Sequence, residues 1–161
     1  MESRAKLLGH PVHQMLIPLP IGAFGLAVVS DAVASHGKSR EAAVTAKRAL
    51  EFGVVTALVA APFGVIDWLG ITPRTRATRV GFWHGLGNLG VLGLFAASRL
   101  LRNGRHVPPS ARWLAVAGLG LAGVTAWLGG ELVDRHGIGV SDLVGENAPS
   151  SLLRDAQVYA T

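Results

Sequence analysis

The sequence predicts an all-α integral membrane protein, a four-helix bundle with both termini on the same side of the bilayer. Three observations lead there. Half of the 161 residues are hydrophobic, 16% are charged and mean hydropathy is +0.41, whereas a soluble domain carries about 25% charged residues to coat its surface. Charge is missing from four stretches, Met15–Ser30, Phe52–Ile66, Val80–Ser98 and Trp113–Gly130. Within the third, Leu86–Ala97 offers only Asn88 as a polar group, so it lacks the polar stripe of a water-facing bundle helix. About 20 helical residues cross a hydrocarbon core of about 30 Å, so these stretches read as spans.

The elements follow in order. Residues 1–14 form an N-terminal lead carrying a His motif, and residues 15–136 form the membrane domain. The first span is placed at 15–35. Pro18 and Pro20 suit a kinked or re-formed helix entry, and without an A-x-A-like cleavage site the run reads as a retained helix. The second span, 49–69, contains Pro62 and a small-residue stripe of Thr56, Ala60 and Gly64. The third, 80–101, opens with Gly81 and Gly85. The fourth, 112–133, carries Gly118, Ala122, Ala126 and Gly130, and Ser110 is its expected N-cap. Small residues at this spacing let helices approach closely in lipid and permit a homodimer. Residues 137–161 form an extramembrane tail with a short helix at Ser151–Val158.

Basic residues set the expected orientation. Lys38, Arg40, Lys47 and Arg48 lie in the first loop and Arg99, Arg102, Arg105 and Arg112 around the third. These outweigh Arg4, Lys6, Arg74, Arg76, Arg79 and Arg135 at the opposite face, so both termini are expected outside. A sequence pI near 10.7 is accounted for by loops facing anionic lipid, and nucleic acid is not an expected partner.

The absence of Cys excludes disulfides, thiolate metal sites and Cys nucleophiles. P-loop, nucleophile-elbow and kinase signatures are absent. Gly85–Gly90 fits G-x-G-x-x-G literally, but lies in an apolar span without a βαβ setting and reads as packing. No hydrolase or transferase activity is indicated.

The polar residues gather instead at one face. The four-span topology places His10, His13, His84 and His136 at the face carrying the termini, with Asp67, Trp68, Glu131, Asp134 and Arg135. His36 and His106 fall at the other face and read as surface residues. Ionisable groups at membrane depth default to a functional role. His84 shares a helix face with Gly81, Gly87 and Asn88, a surface on which a flat ligand fits. The plainer reading is His84 hydrogen-bonded to Asp67 or to a backbone carbonyl. A weak internal echo supports a facing His pair. Gly9-His10-Pro11-Val12-His13 opens one hairpin and Gly81-Phe82-Trp83-His84 the other, while Asp67 and Asp134 close them at nearly equal offsets.

The run Gly9-His10-Pro11-Val12-His13-Gln14-Met15-Leu16-Ile17-Pro18-Leu19-Pro20-Ile21-Gly22, with Gly64–Trp68, the His84 region and Gly129–Val140 in the same order, resembles the DUF2231 family of predicted bacterial membrane proteins. The resemblance covers residues 8–140. It implies a four-span multi-pass protein of the bacterial cytoplasmic membrane. It also implies electron-transfer company, because some relatives carry a Rieske-type domain. The family pattern often has Pro at position 14 and His at position 18, where this chain has Gln14 and Pro18.

Neutral imidazoles ligate haem iron, copper or zinc. The expected site is a b-type haem in an electron-transfer subunit, with His13 and His84 as axial ligands and His10 and His136 as substitutes or second-site ligands. Asp67 and Asn88 would orient the imidazoles. Trp68, Trp83 and Phe82 would wall the ring, and Arg135 or Arg79 would pair with propionates. Copper or zinc at the same His residues in a transport protein, and a structural membrane subunit without cofactor, are the alternatives.

Overall fold

The computed structural model describes residues 1–37, 39–103 and 107–141. A two-residue antiparallel pairing, β1 (Lys6–Leu7) with β2 (His10–Pro11), leads into a short helix α1 (Val12–Leu16). Four long helices follow: α2 (Pro18–Gly37), α3 (Arg40–Trp68), α4 (Arg76–Leu100) and α5 (Pro109–Gly130). A π-helical turn, Glu131–Arg135, extends α5. Taking α1 with α2 and the π turn with α5, the four spans run 26, 29, 25 and 27 residues. At about 1.5 Å per residue each exceeds a hydrocarbon core of about 30 Å. All four are long and apolar enough to cross a membrane, and the fold is the expected all-α bundle.

The spans extend beyond the charge-free stretches because the caps lie in the polar flanks. Ser39 caps α3, its Oγ accepting from Ala42 N at 3.2 Å, and Thr75 caps α4 in the same way through Thr78 N. At α5 the expected cap is displaced. Pro108 occupies the N-cap position, Pro109 the first turn, and Ser110 lies inside the helix. Proline fixes φ near the helical value and has no N–H to leave unpaired, so the helix starts without a side-chain cap. Between α1 and α2 the chain breaks at Ile17 because Pro18 and Pro20 cannot donate to the preceding turn. Continuity survives through Ile17 N to His13 O at 3.1 Å and Ile21 N to Ile17 O at 3.3 Å.

The helices pack as two hairpins, α2 with α3 and α4 with α5, joined through α3–α4 and α2–α5 contacts. The interior is built mainly of small residues around one aromatic stack. Ala27, Ala46, Leu50, Ala111 and Ala115 are fully buried, and Phe24 lies on Phe95 with ring centroids 3.8 Å apart and planes 4° apart. Larger side chains such as Leu26, Val55, Leu89 and Val124 face outward. That inversion suits lipid, where close backbone packing rather than apolar burial holds helices together. Gly53 and Gly118 make room for the stack: a Cβ on either would come within 2.5 Å of Phe24 or 3.0 Å of Phe95.

The two hairpins repeat each other. Asp31 and Arg102 are 71 positions apart, and so are His13 and His84, and Phe24 and Phe95. The members of each pair meet: Asp31 and Arg102 as an ion pair, the phenylalanines stacked and the histidines edge-on. On the outer helices, Ala46 and Ala111, Gly53 and Gly118, and Gly64 and Gly129 are equivalent at a second constant offset. Equivalent residues touching one another mark an approximate two-fold axis along the bundle. The echo between Asp67 and Asp134 does not follow this register, because the position equivalent to Asp67 is Leu132.

The termini-side end is tied together. The Met1 amino group donates to Gly137 O at 2.8 Å and Gly139 N donates to Met1 O at 2.9 Å. The chain after the last span thus returns to the lead. The expected helix at Ser151–Val158, and His106, lie outside the described residues.

Candidate functional site

At this end of the two-fold axis stand His13 on α1 and His84 on α4, ring centroids 6.4 Å apart and planes at 86°. Each imidazole is held by the second helix of its own hairpin. His13 Nδ1 bonds to Ala60 O at 3.0 Å, and His84 Nδ1 bonds to Thr125 O at 2.9 Å. Only a protonated Nδ1 can donate to a carbonyl, so both rings carry a proton on Nδ1.

A glycine one turn beyond each carbonyl admits the ring. A Cβ on Gly64 would lie 2.9 Å from His13 Cε1, and one on Gly129 would lie 3.0 Å from His84 Cε1. The small residues Ala60, Gly64 and Gly129 therefore serve as seats for imidazoles. Sequence reading assigned Ala60 and Gly64 to helix packing and left Thr125 and Gly129 out of the site. Extending the His13–His84 offset along the chain and aligning the glycines of the outer helices finds them.

The two halves differ at the free nitrogens. Asn88 Nδ2 donates to His84 Nε2 at 3.1 Å and to His84 O at 2.9 Å, and Thr125 Oγ1 donates to Asn88 Oδ1 at 3.1 Å. The position equivalent to Asn88 is Ile17, so His13 has no matching amide. Asn88 thus orients His84, as the sequence suggested, but through Nε2 rather than through the second nitrogen.

Other site residues have different duties. The Asp67 carboxylate is buried at the end of α3, where Ser3 Oγ donates to both of its oxygens at 2.8 and 2.9 Å and Arg4 N donates at 2.8 Å. It anchors the lead, and the hydrogen bond holding His84 comes from a carbonyl instead. Trp68 Nε1 donates to Thr78 O at 3.1 Å, and its ring fills the space over Gly81. Thr125 fills the space over Gly87, where a Cβ would come within 2.5 Å of its methyl group. The bare glycine face beside His84 is therefore covered by the protein's own side chains, because α4 is packed closely against Trp68 and α5. Phe82 and Trp83 lie edge to face and exposed.

His10 sits in β2 and His136 follows the π turn, both at the termini-side end. Among the described residues, no group of three or more His, Cys, Asp and Glu could hold a metal ion, so His10 and His136 do not complete a cluster with the facing pair. Among the described residues, His136 Nε2 is buried without a hydrogen-bond partner. Arg135 pairs with Glu131 at 3.3 Å and is largely exposed.

The donor set is therefore two imidazoles. His13 and His84 are the residues that would hold a cofactor there, and Asn88 already occupies Nε2 of His84. The family model described as a predicted membrane protein, DUF2231, matches residues 9–142. No curated protein and no solved structure matches the chain.

Proposed function

The chain belongs to the DUF2231 family of predicted membrane proteins, and from that premise we propose that this multi-pass membrane protein is a b-type haem-binding electron-transfer subunit with His13 and His84 as axial ligands. The observation that carries the reading is the pair of facing imidazoles with Nδ1–H spent on carbonyls and no third protein ligand beside them among the described residues. Structural zinc and tetragonal copper ask the protein for three or four donors, whereas haem iron needs only two because the macrocycle supplies the other four. Carbonyls at Nδ1 fix ring orientation and raise the basicity of Nε2. Haem bound there supplies one-electron transfer. His136, whose Nε2 is unpartnered among the described residues, and His10 are the substitute ligands, and Arg135 is the propionate partner. A Rieske-type protein is the class of redox partner proposed, and the termini are placed outside the cytoplasmic membrane.

Purified full-length protein from haem-replete cells should show a Soret band that shifts on reduction and is lost in His13→Ala and His84→Ala. A colourless preparation that takes up no added haemin overturns the reading. One further reading has its own support. Each ring crosslinks the two helices of its hairpin, and the glycine face beside His84 is filled, which suits a structural clamp. Under that reading both substitutions lower stability and leave the absorption spectrum featureless.

A further inference from the structure

At the opposite end of the bundle a cleft of about 370 Å³ opens between the last turns of α2 and the first turns of α5. Val28, Val116 and Trp113 give it apolar walls, and Ser35, His36 and Arg112 line it with polar groups. Its one carboxylate, Asp31, is already committed to Arg102 at 2.7 and 2.5 Å. Ser35 Oγ and His36 Nδ1 both bond to Ala32 O. Among the described residues Arg112 Nε is buried with no hydrogen-bond partner. A guanidinium cannot shed its proton, so a buried, unpaired N–H on it is costly and calls for an acceptor.

The two-fold relation points to a related site that supplies its own carboxylate, although the position equivalent to Arg112 itself is Lys47. The positions equivalent to Val28, Trp113 and Val116 are Arg99, Arg48 and Glu51. There the Glu51 carboxylate accepts from Arg99 at 2.9 and 2.7 Å and from Arg48 at 2.9 Å. The first site supplies its own anion. The second has valine, tryptophan and valine in place of Arg99, Arg48 and Glu51, an open cleft in place of the ion network, and beside it the guanidinium of Arg112, whose Nε has no partner among the described residues.

We propose that this cleft binds an acidic phospholipid, the headgroup phosphate accepting from Arg112 and an acyl chain lying along Val28, Val116 and Trp113. Trp113 is 71% and Val116 45% exposed on the outer surface, so the walls continue onto the face that meets lipid. The cleft lies at the helix ends, at headgroup depth. An amphiphile with one anionic group and an apolar tail matches both surfaces together.

Native mass spectrometry of the full-length protein, delipidated and then titrated with phosphatidylglycerol or phosphatidylcholine, tests this. Loss of one charge-assisted phosphate contact corresponds to about a tenfold change in retention. Both lipids carry that phosphate, but in phosphatidylcholine a quaternary ammonium beside it cancels the charge, so phosphatidylglycerol should be retained more strongly, and Arg112→Gln should lower its retention about tenfold and remove the preference. Val116→Glu, which restores the carboxylate of the equivalent site, should also abolish retention while the chain stays folded. Arg48→Gln, whose partner is Glu51, should leave retention unchanged. Equal retention of the two lipids, or a preference that survives Val116→Glu, overturns the proposal. Displacement of bound lipid by millimolar inorganic phosphate also overturns it, since that marks a small-anion site. If Arg112→Gln fails to fold, Val116→Glu alone decides.

Discussion

Replacing Arg102 by Met tests the buried ion pair at the two-fold axis. The side chains of Arg102 and Asp31 retain 2% and 6% of their accessible surface. The guanidinium donates to both carboxylate oxygens at 2.7 and 2.5 Å, to Ser98 Oγ at 3.1 Å and to Ser98 O at 3.3 Å. Removing the cation alone strands a buried carboxylate, which costs about 3–5 kcal/mol, whereas replacing both members with apolar residues is nearly neutral. Arg102→Met should therefore destabilise by about 4 kcal/mol, and Asp31→Leu with Arg102→Met by about 1 kcal/mol, so that the second substitution restores about 3 kcal/mol. The reversed pair, Asp31→Arg with Arg102→Asp, gives a third point. The position equivalent to Ser98 is Ala27, so the relocated guanidinium loses the two serine contacts and about 1–2 kcal/mol, but keeps its carboxylate. Equilibrium unfolding in mixed detergent micelles, followed by fluorescence of the four tryptophans, reads all three variants. A double apolar variant less stable than Arg102→Met alone would refute the argument.

Gly53→Ala forces a methyl group against the Phe24 ring, where the Cβ would lie 2.5 Å from Cε1. Overpacking of this kind costs about 1–3 kcal/mol, while Gly22→Ala, with nothing within 4 Å of its added methyl, should leave the same unfolding curve unchanged. Asp67→Ala removes the acceptor of Ser3 Oγ and Arg4 N. Hydrogen exchange should rise in residues 1–11 with protection in α3–α5 intact, and uniform loss of protection would assign Asp67 a global role. Asn88→Leu frees His84 Nε2 and leaves His13 untouched. The NMR ring signals of His84 should shift while those of His13 hold. A cost of about 1 kcal/mol is expected for the lost hydrogen bonds.

The spans were legible because lipid demands long uncharged stretches, and Met15–Ser30 or Val80–Ser98 satisfy that demand without reference to any partner. Their ends were less so. Ser39 and Thr75 extend α3 and α4 into polar sequence through caps that periodicity does not reveal. The facing of His13 and His84 was legible from topology and from their shared motif. What held each ring was not, because Ala60 and Thr125 act through main-chain carbonyls, which every residue has. Their marker is the glycine one turn later, and glycine is common in this chain for packing reasons as well. Asp67 misled for a related reason. A carboxylate near a His cluster suggests a partner for imidazole, but the lead folds back and Ser3 and Arg4 reach it first.

The repeat also explains why one facing pair, Asp31 with Arg102, differs while His13–His84 and Phe24–Phe95 are alike. In a symmetric assembly of two identical hairpins, a residue on the two-fold axis meets its own copy. Phe24 against Phe95 keeps that state, since stacked rings attract, and so does His13 against His84, each ring held by a carbonyl of its own hairpin. A buried carboxylate facing its own copy would be repelled, as would a guanidinium. Only a single chain carrying both hairpins can place Asp31 against Arg102, or give Asn88 to one imidazole and Ile17 to the other. The Asp31–Arg102 pair and the single amide on His84 make the two halves distinguishable. The asymmetry falls at the imidazoles too, with Nε2 of His84 capped by an amide and no equivalent amide at His13.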